Sequence, residues 1–218
     1  MINVFEPEVS IKHYRQIYKT LRNKELSGSS QIVQEFEQNI ANYFDREFCI
    51  STSNGSNSLD LALNCFDFKK HDEVIIPSFT IISCLAAVVR SGATPVFCDV
   101  DVDTWNMTLD NLKSAVTKKT KAVLMVHTYG LAAEADLIYD YCKKKGLILI
   151  EDSAEAHGQM VENKKCGSFG DISTLSFYAN KHVTTGEGGA VLTDDKHLFK
   201  KLQQMKNLDF VSDKRFQH

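Results

Sequence analysis

The stretch KAVLMVHTYGLAAEADLIYDYCKKKGLILIED, residues 121–152, contains two apolar runs separated by a helical segment. The runs are KAVLMVH (121–127) and LILIED (147–152), and the predicted helix covers residues 134–146. Short, almost continuous apolar runs are typical of strands buried on both faces, and strands that alternate with helices form parallel sheets. This stretch therefore predicts an α/β fold.

The same alternation extends in both directions from this unit. The other predicted strands are EFCIST (47–52), EVIIP (73–77), TPVFCDV (94–100), STLSFY (173–178) and AVLTD (190–194). Further helices are predicted near 57–66, 80–91 and 109–117. Together these segments predict a mostly parallel sheet of seven strands with helices on both faces.

The N-terminal segment has a different, purely helical pattern. We expect two helices, over 11–26 and 31–44, with the sequence Ser-Gly-Ser-Ser at 27–30 providing a turn and an N-cap for the second. In the second helix, apolar residues recur at three- and four-residue spacing, which indicates one buried face. We therefore divide the chain into a helical segment, 1–45, and an α/β domain, 46–218.

Composition and charge exclude some classes of function. The 218 residues are 43% hydrophobic and carry a formal net charge of −3, so no basic surface for nucleic acid is expected. No apolar run approaches the roughly 20 residues of a membrane span, and the N-terminus, MINVFEPEVS, does not resemble a signal peptide. The six cysteines form no CxxC pair, and we expect reduced thiols in a cytoplasmic protein.

Polar residues follow several predicted strands, where open α/β sheets bind their ligands. Asn54-Gly55-Ser56-Asn57 follows the first strand and opens a helix. Free backbone N–H groups and the helix dipole would suit a phosphate there. The same residues could equally be an ordinary N-cap and turn, and the pattern matches neither nucleotide-binding glycine motif.

Two charged residues occupy unusual positions. Asp152 ends the apolar strand LILIED, where a carboxylate is costly without a partner; it is either a structural cap or the partner of a cationic heterocycle such as pyridoxal phosphate. Lys181 lies between STLSFY and a glycine-rich turn. It is either a solvated surface charge or a lysine that can form a Schiff base.

No metal site is predicted. Asp99, Asp101 and Asp103 imitate the start of a calcium-binding loop, but its sixth and twelfth positions hold Thr104 and Asp110 instead of glycine and glutamate. The seven histidines also lack the spacing of metal ligands relative to cysteines and carboxylates.

Six consecutive motifs resemble those of the DegT/DnrJ/EryC1/StrS family of sugar aminotransferases, most closely its perosamine-synthase-like members. They are SNGSNSLDLAL, DEVIIPSFT, GATPVFCDVDVDTWNM, KAVLMVHTYG, LILIEDSAEAHG and CGSFGDISTLSFYANKHVTTGEGGAVLTDD. They occur in the family's order and spacing, and the resemblance extends from about Phe5 to Arg215. It implies the large domain of the type I aminotransferase fold, with pyridoxal 5'-phosphate as cofactor.

The resemblance also assigns roles to individual residues. It implies that Lys181 holds the cofactor covalently and later moves the proton, as the catalytic residue, and that Asp152 pairs with the pyridinium nitrogen. The phosphate would be bound by the cup of Gly55, Ser56 and Asn57, together with the Ser176 hydroxyl.

Two positions depart from the family pattern. Ile81 stands where many members place an aromatic ring on the cofactor, so the ring face would be covered by an aliphatic side chain. Glu155 stands where many members have a glutamine near the phenolic oxygen of the cofactor, which changes the charge there.

The activity implied is transfer of an amino group from glutamate to a nucleotide-linked keto sugar, with a 4-keto-6-deoxyhexose as the expected acceptor. Such enzymes supply surface-glycan and O-antigen biosynthesis, and relatives are homodimers with shared sites. One alternative is a dehydratase of the same family, in which some members replace the lysine with histidine. The other is a non-catalytic cofactor-binding fragment or regulator.

Relatives continue into a smaller C-terminal domain that closes over the substrate, and we expect this chain to lack it. On this expectation the isolated chain would bind cofactor weakly, aminate little and expose apolar surface.

Overall fold

The computed structural model describes residues 6–208. The helices are α1 (Ile11–Arg22), α2 (Gln31–Tyr43), α3 (Gly55–Asn64), α4 (Ile82–Arg90), α5 (Leu109–Ala115), α6 (Ala135–Lys145) and α7 (Lys196–Lys206). The strands are β1 (Phe48–Thr52), β2 (Glu73–Pro77), β3 (Thr94–Cys98), β4 (Thr120–Val126), β5 (Ile148–Asp152), β6 (Met160–Val161), β7 (Lys164–Lys165), β8 (Ile172–Ser176) and β9 (Gly189–Thr193).

Seven strands form one sheet in the order β1-β9-β8-β5-β4-β2-β3. The strands from β8 to β3 in this order pair in parallel, and β9 pairs antiparallel with both β8 and β1. The predicted α/β fold with a mostly parallel seven-stranded sheet is therefore confirmed. Because β9 alone is reversed, the other six strands all end at the same edge of the sheet.

Helices cover both faces of the sheet, as predicted. Neighbouring residues of β2 show the division, since Val74 and Ile76 pack with α3, α4 and α7, whereas Ile75 packs with α5 and α6. On the side of α5 and α6, α2 covers β1, β8 and β9 through Ala41 and Phe44. Side chains alternate across a strand, so an all-apolar strand such as EVIIP needs cover on both sides.

The two N-terminal helices behave differently from each other. Helix α2 buries one face against the sheet, as its apolar spacing predicts, and Ser30 occupies its N-cap position without a side-chain capping bond. Helix α1 ends at Arg22, four residues before the predicted end, and has no buried residue. Its apolar side chains are all exposed: Ile11, Tyr14, Ile17, Tyr18 and Leu21. The division at residue 45 stays a prediction, and 1–5 and 209–218 lie outside the described residues.

Two features were not predicted from the sequence. Strands β6 and β7 have two residues each and pair as a hairpin across a turn. They are too short to show any alternation of apolar residues. Helix α7 packs Leu202 into the core beside α3. Along residues 6–208, none of the helices combines the length and the apolar character that crossing a bilayer requires.

Candidate active site

A cavity of about 700 Å³ opens at the edge of the sheet where six strands end. The loops after β1, β2, β4, β5 and β8 line it, as the predicted topology requires. Of the eight residues predicted as a site, the structure brings seven to this cavity: Gly55, Ser56, Ile81, Asp152, Glu155, Ser176 and Lys181.

The N-terminus of α3 faces the cavity. Asn54 is its N-cap, and its Oδ1 accepts the amide N–H of Asn57 at 2.8 Å. Asn57 does not line the cavity. Its side chain donates to Ser53 Oγ at 2.6 Å. The first amides of a helix have no intrahelical acceptor, so the N–H groups of Gly55 and Ser56 are left for a ligand.

Gly55 packs directly against the end of β8. A Cβ atom at this position would lie 2.8 Å from Cβ of Ser176. Glycine is thus required for the close approach that places the helix N-terminus and the Ser176 hydroxyl on one wall of the cavity.

We predict that Gly55→Ala weakens phosphate and cofactor binding while the fold is retained. Alanine favours the helix by about 1 kcal/mol, but its methyl group would push α3 away from Ser176. Titration of inorganic phosphate and of pyridoxal phosphate, followed by calorimetry, would measure the loss. Gly28→Ala is the matched control, because a Cβ atom added at Gly28 would have no atom within 4 Å apart from its chain neighbours. Equal affinities in both variants would contradict the prediction.

Asp152 lies at the base of the cavity and is 3% exposed. Its Oδ1 accepts the Ala154 amide at 3.0 Å and the Thr174 hydroxyl at 3.3 Å, and the Cys84 thiol lies 3.5 Å from Oδ2. Within residues 6–208 no lysine, arginine or histidine forms an ion pair with this carboxylate. Burial raises the pKa of Asp152 above its ordinary value. A cation that entered the cavity would favour the charged carboxylate.

Lys181 projects from the loop between β8 and β9. Its Nζ donates to Oε1 of Glu155 at 2.8 Å, and the other oxygen of Glu155 accepts the Tyr129 amide at 2.9 Å. The lysine side chain is 13% exposed, so it is not a solvated surface charge. One carboxylate therefore holds the amine at the cavity wall and fixes the Tyr129 turn as well.

Glu151 lies beside Asp152 on the opposite face of β5 and is fully buried. Its two oxygens accept hydrogen bonds from six groups: His127 Nε2, the hydroxyls of Ser153 and Ser173, and the amides of Gly167, Phe169 and Gly170. Arg46 donates to the carbonyls of Ser168 and Gly170, each at 2.9 Å. Glu151 thus holds the amides of the loop before β8, and Arg46 holds its carbonyls.

His127 connects this buried network to the cavity. The Ala133 amide donates to Nδ1 at 3.1 Å, so Nε2 carries the proton that it donates to Glu151. The loop that follows His127 lines the cavity through Thr128 and Tyr129. The network below the sheet edge therefore positions one wall of the site.

Several cavity residues were not among the predicted site residues. Asn54 carries a sequence signal, because an asparagine before a helix is a common cap. Ser83, whose hydroxyl lies 2.8 Å from that of Ser56, is the second residue of α4 and has no such signal. The described residues contain no group of three or more histidine, cysteine or acidic side chains that could hold a metal ion. The side chain of Asp101 instead accepts the amides of Asp103 and Thr104.

Comparison with known proteins identifies the family of the fold and site. The model of the DegT/DnrJ/EryC1/StrS aminotransferase family matches residues 9–218. A GDP-perosamine synthase from Escherichia coli O157:H7 is 36% identical over 217 residues, covering 100% of this chain and 60% of that protein. This chain therefore spans about three fifths of the length of that relative.

Solved structures agree with this assignment. An aminotransferase from Psychrobacter cryohalolentis superposes with a TM-score of 0.90 at 33% identity, covering 97% of this chain and 54% of that one. A GDP-4-keto-6-deoxy-D-mannose-3-dehydratase from E. coli, with bound hydrated pyridoxal phosphate, gives 0.88 at 29% identity, with 93% and 54% covered. The type I fold is thus shown, and the family's cofactor is pyridoxal phosphate.

Proposed function

The chain belongs to the DegT/DnrJ/EryC1/StrS aminotransferase family, and from this premise we propose that it provides the cofactor-binding half of an aminotransferase. The enzyme would move an amino group from glutamate to a nucleotide-linked keto sugar, with a 4-keto-6-deoxyhexose as acceptor. The observation that carries this proposal is the convergence, in one cavity, of a partly buried amine, a buried carboxylate and a helix N-terminus. The similarity to a GDP-perosamine synthase supports the substrate class.

The residues present fit pyridoxal phosphate. The amides of Gly55 and Ser56 would bind its phosphate, and Ile81 would cover one face of the ring. Asp152, a buried carboxylate that pairs with no cation among residues 6–208, would bind the protonated ring nitrogen. Lys181 would hold the cofactor covalently, and when bound the cofactor supplies an electron sink for the carbon that exchanges its amino group.

The protein's own part in the chemistry is to hold and move protons. Lys181 Nζ is the base that can take a proton from the reacting carbon and return it. Glu155 orients this amine through the 2.8 Å ion pair. Asp152 would pair with the protonated ring nitrogen of the bound cofactor; that cation would favour the charged carboxylate against the burial that raises its pKa, and burial would strengthen the pair.

We predict that Asp152→Asn retains the fold and cofactor binding but loses amination. The amide keeps the shape of the carboxylate and removes its charge, and losing such a preorganised charge costs about 10²-fold or more in rate. The measurement is amination of a panel of GDP-, UDP- and dTDP-linked keto sugars, with products identified by mass spectrometry. Asp140→Asn, at an exposed aspartate of α6 outside the cavity, is the control. An unchanged rate in Asp152→Asn would mean that this residue is only a structural cap.

A sugar dehydratase is the second candidate, because a dehydratase of this family has a closely similar structure. The presence of Lys181, rather than histidine, at the catalytic position favours the aminotransferase. Product mass in a single turnover distinguishes them, since a dehydratase removes a hydroxyl group and adds no nitrogen.

The setting of this activity is also part of the proposal. We place the protein in the cytoplasm, in the biosynthesis of surface glycans, as a homodimer whose sites are shared between subunits. Sedimentation analysis combined with activity would test the assembly: a fully active monomer would refute the shared site.

A further inference from the structure

Three aromatic side chains meet at the mouth of the cavity; we call Phe79, Trp105 and Tyr129 the aromatic rim. Their ring centroids lie 5.4 to 6.2 Å apart in edge-to-face contacts. Phe79 and Tyr129 line the cavity, and Trp105 packs against both. The three side chains remain 42%, 49% and 70% exposed, so their mutual contacts leave ring faces open.

The rim is held in place by a buried side chain. Asn106 is 2% exposed; its Nδ2 donates to the Leu131 carbonyl at 3.0 Å, and its Oδ1 accepts the Thr128 amide at 2.9 Å. It thereby joins the turn that carries Trp105 to the turn that carries Tyr129.

Both of these aromatic residues have left-handed backbone conformations, with φ of 57° at Trp105 and 52° at Tyr129. Such conformations are uncommon and strained for bulky residues, and they concentrate at ligand sites. The segment Asp101–Asn106, which follows Asp99 in the stretch that imitates the start of a calcium loop, is thus a support for Trp105.

The turn that carries Tyr129 is joined to the catalytic amine through Glu155. Glu155 alone separates Lys181 Nζ from the Tyr129 amide, by contacts of 2.8 and 2.9 Å. Among the described residues that line the cavity, Lys181 is the sole lysine or arginine, and Asp152, Glu155 and Glu187 are acidic. A diphosphate would find few cations to balance its charge there, whereas a neutral ring could pack its apolar face on the rim.

We propose that the aromatic rim is the subsite for the hexose ring of the acceptor, including its apolar 6-deoxy edge. This inference rests on the proposed function, because the sugar carbon that receives the amino group must lie beside Lys181. The rest of the same ring then packs on Phe79 and Tyr129, and the nucleotide lies outside the rim. Removal of the apolar ring face and the 6-deoxy methyl group from water would favour binding.

The test exploits the fact that Trp105 is the sole tryptophan of the chain. GDP, UDP and dTDP, and the same nucleotides linked to a 6-deoxyhexose, are titrated into the chain in the presence of pyridoxal phosphate. Calorimetry measures affinity, and tryptophan fluorescence reports occupancy of the rim. We expect the sugar conjugates, and not the free nucleotides, to change the Trp105 emission.

Phe79→Ala and Tyr129→Ala should each weaken the conjugate about 2- to 12-fold and leave the free nucleotide unaffected. Tyr18→Ala, at an exposed tyrosine outside the cavity, should change neither affinity. Equal weakening of nucleotide and conjugate would place the base on the rim and overturn the proposal, and so would unchanged affinity in both rim variants. Cofactor trapped on Lys181 by borohydride together with no binding of any conjugate would overturn this inference alone, whereas absence of trapped cofactor on Lys181 would overturn the proposed function.

Discussion

Replacement of Lys181 by alanine should abolish covalent attachment of pyridoxal phosphate. Lys181 is the single lysine that lines the described cavity, and Glu155 holds its Nζ at the cavity wall. Borohydride reduction of the loaded chain, followed by peptide mass spectrometry, should therefore find the cofactor on the Lys181 peptide. Any amination should fall about 10²- to 10⁴-fold, because the base that moves the proton is lost.

The controls for this experiment are the lysines of β7. Lys165 pairs with Asp45 at 2.7 Å, and Lys164 lies over the rings of Tyr139 and Phe169; neither lines the cavity. Lys164→Ala and Lys165→Ala should both retain trapped cofactor. Label on either of these lysines in the unmodified protein, or label retained in Lys181→Ala, would remove the basis of the proposed function.

Replacement of Glu151 by glutamine should produce the largest loss of stability, about 3–5 kcal/mol in the free energy of unfolding. Six donors converge on this carboxylate, three of them amides of the loop 167–170. A glutamine has one acceptor oxygen, and its NH₂ group would face N–H and O–H groups that also donate. Chemical denaturation of both proteins measures the difference. Glu47→Gln, at an exposed position, should be close to neutral.

The same carboxylate gives the stability a defined dependence on pH. Burial by itself raises the pKa of Glu151, but hydrogen bonds from His127 and from the loop amides overcome it and lower the pKa to about 2. Because the folded pKa lies below the ordinary 4.5, the stabilisation is complete above pH 4.5 and is lost as the pH falls towards 2. The difference between the unmodified protein and Glu151→Gln should therefore shrink below pH 4.5. A difference that stays constant would contradict this account.

The local units of the fold could be predicted to within a few residues, because their signals are local. Strand β4, helix α6 and strand β5 follow apolar runs with clear boundaries, and Gly146 ends α6 in a left-handed conformation. The pairing of β1 with β9 could not be predicted, because no local pattern joins strands so distant along the chain. Helix α7 was missed although its signals are local: Asp195 caps it, and Leu198, Leu202 and Met205 recur at helical spacing.

The sequence predicted which residues line the candidate site better than it predicted the contacts between them. The edge of the sheet determines where Asp152 and Lys181 lie, and that edge follows from the alternation of strands and helices. Asn54 lines the cavity and Asn57 does not, because α3 begins at Gly55 with Asn54 as its cap; the sequence does not decide which asparagine is the cap. The ion pair between Glu155 and Lys181 depends on how two loops pack, which no motif records.

The position of β1 in the sheet has a consequence for how the chain is made. Phe48 pairs with Thr193, so β1, the first of the described strands, can complete its pairing only after almost the whole described chain has been synthesised. Such non-local pairing is slow, because the entropy of closing a long loop is lost before any stabilising contact forms. Until then β1 is an unpaired strand edge, and it should be the segment that most needs a chaperone during synthesis.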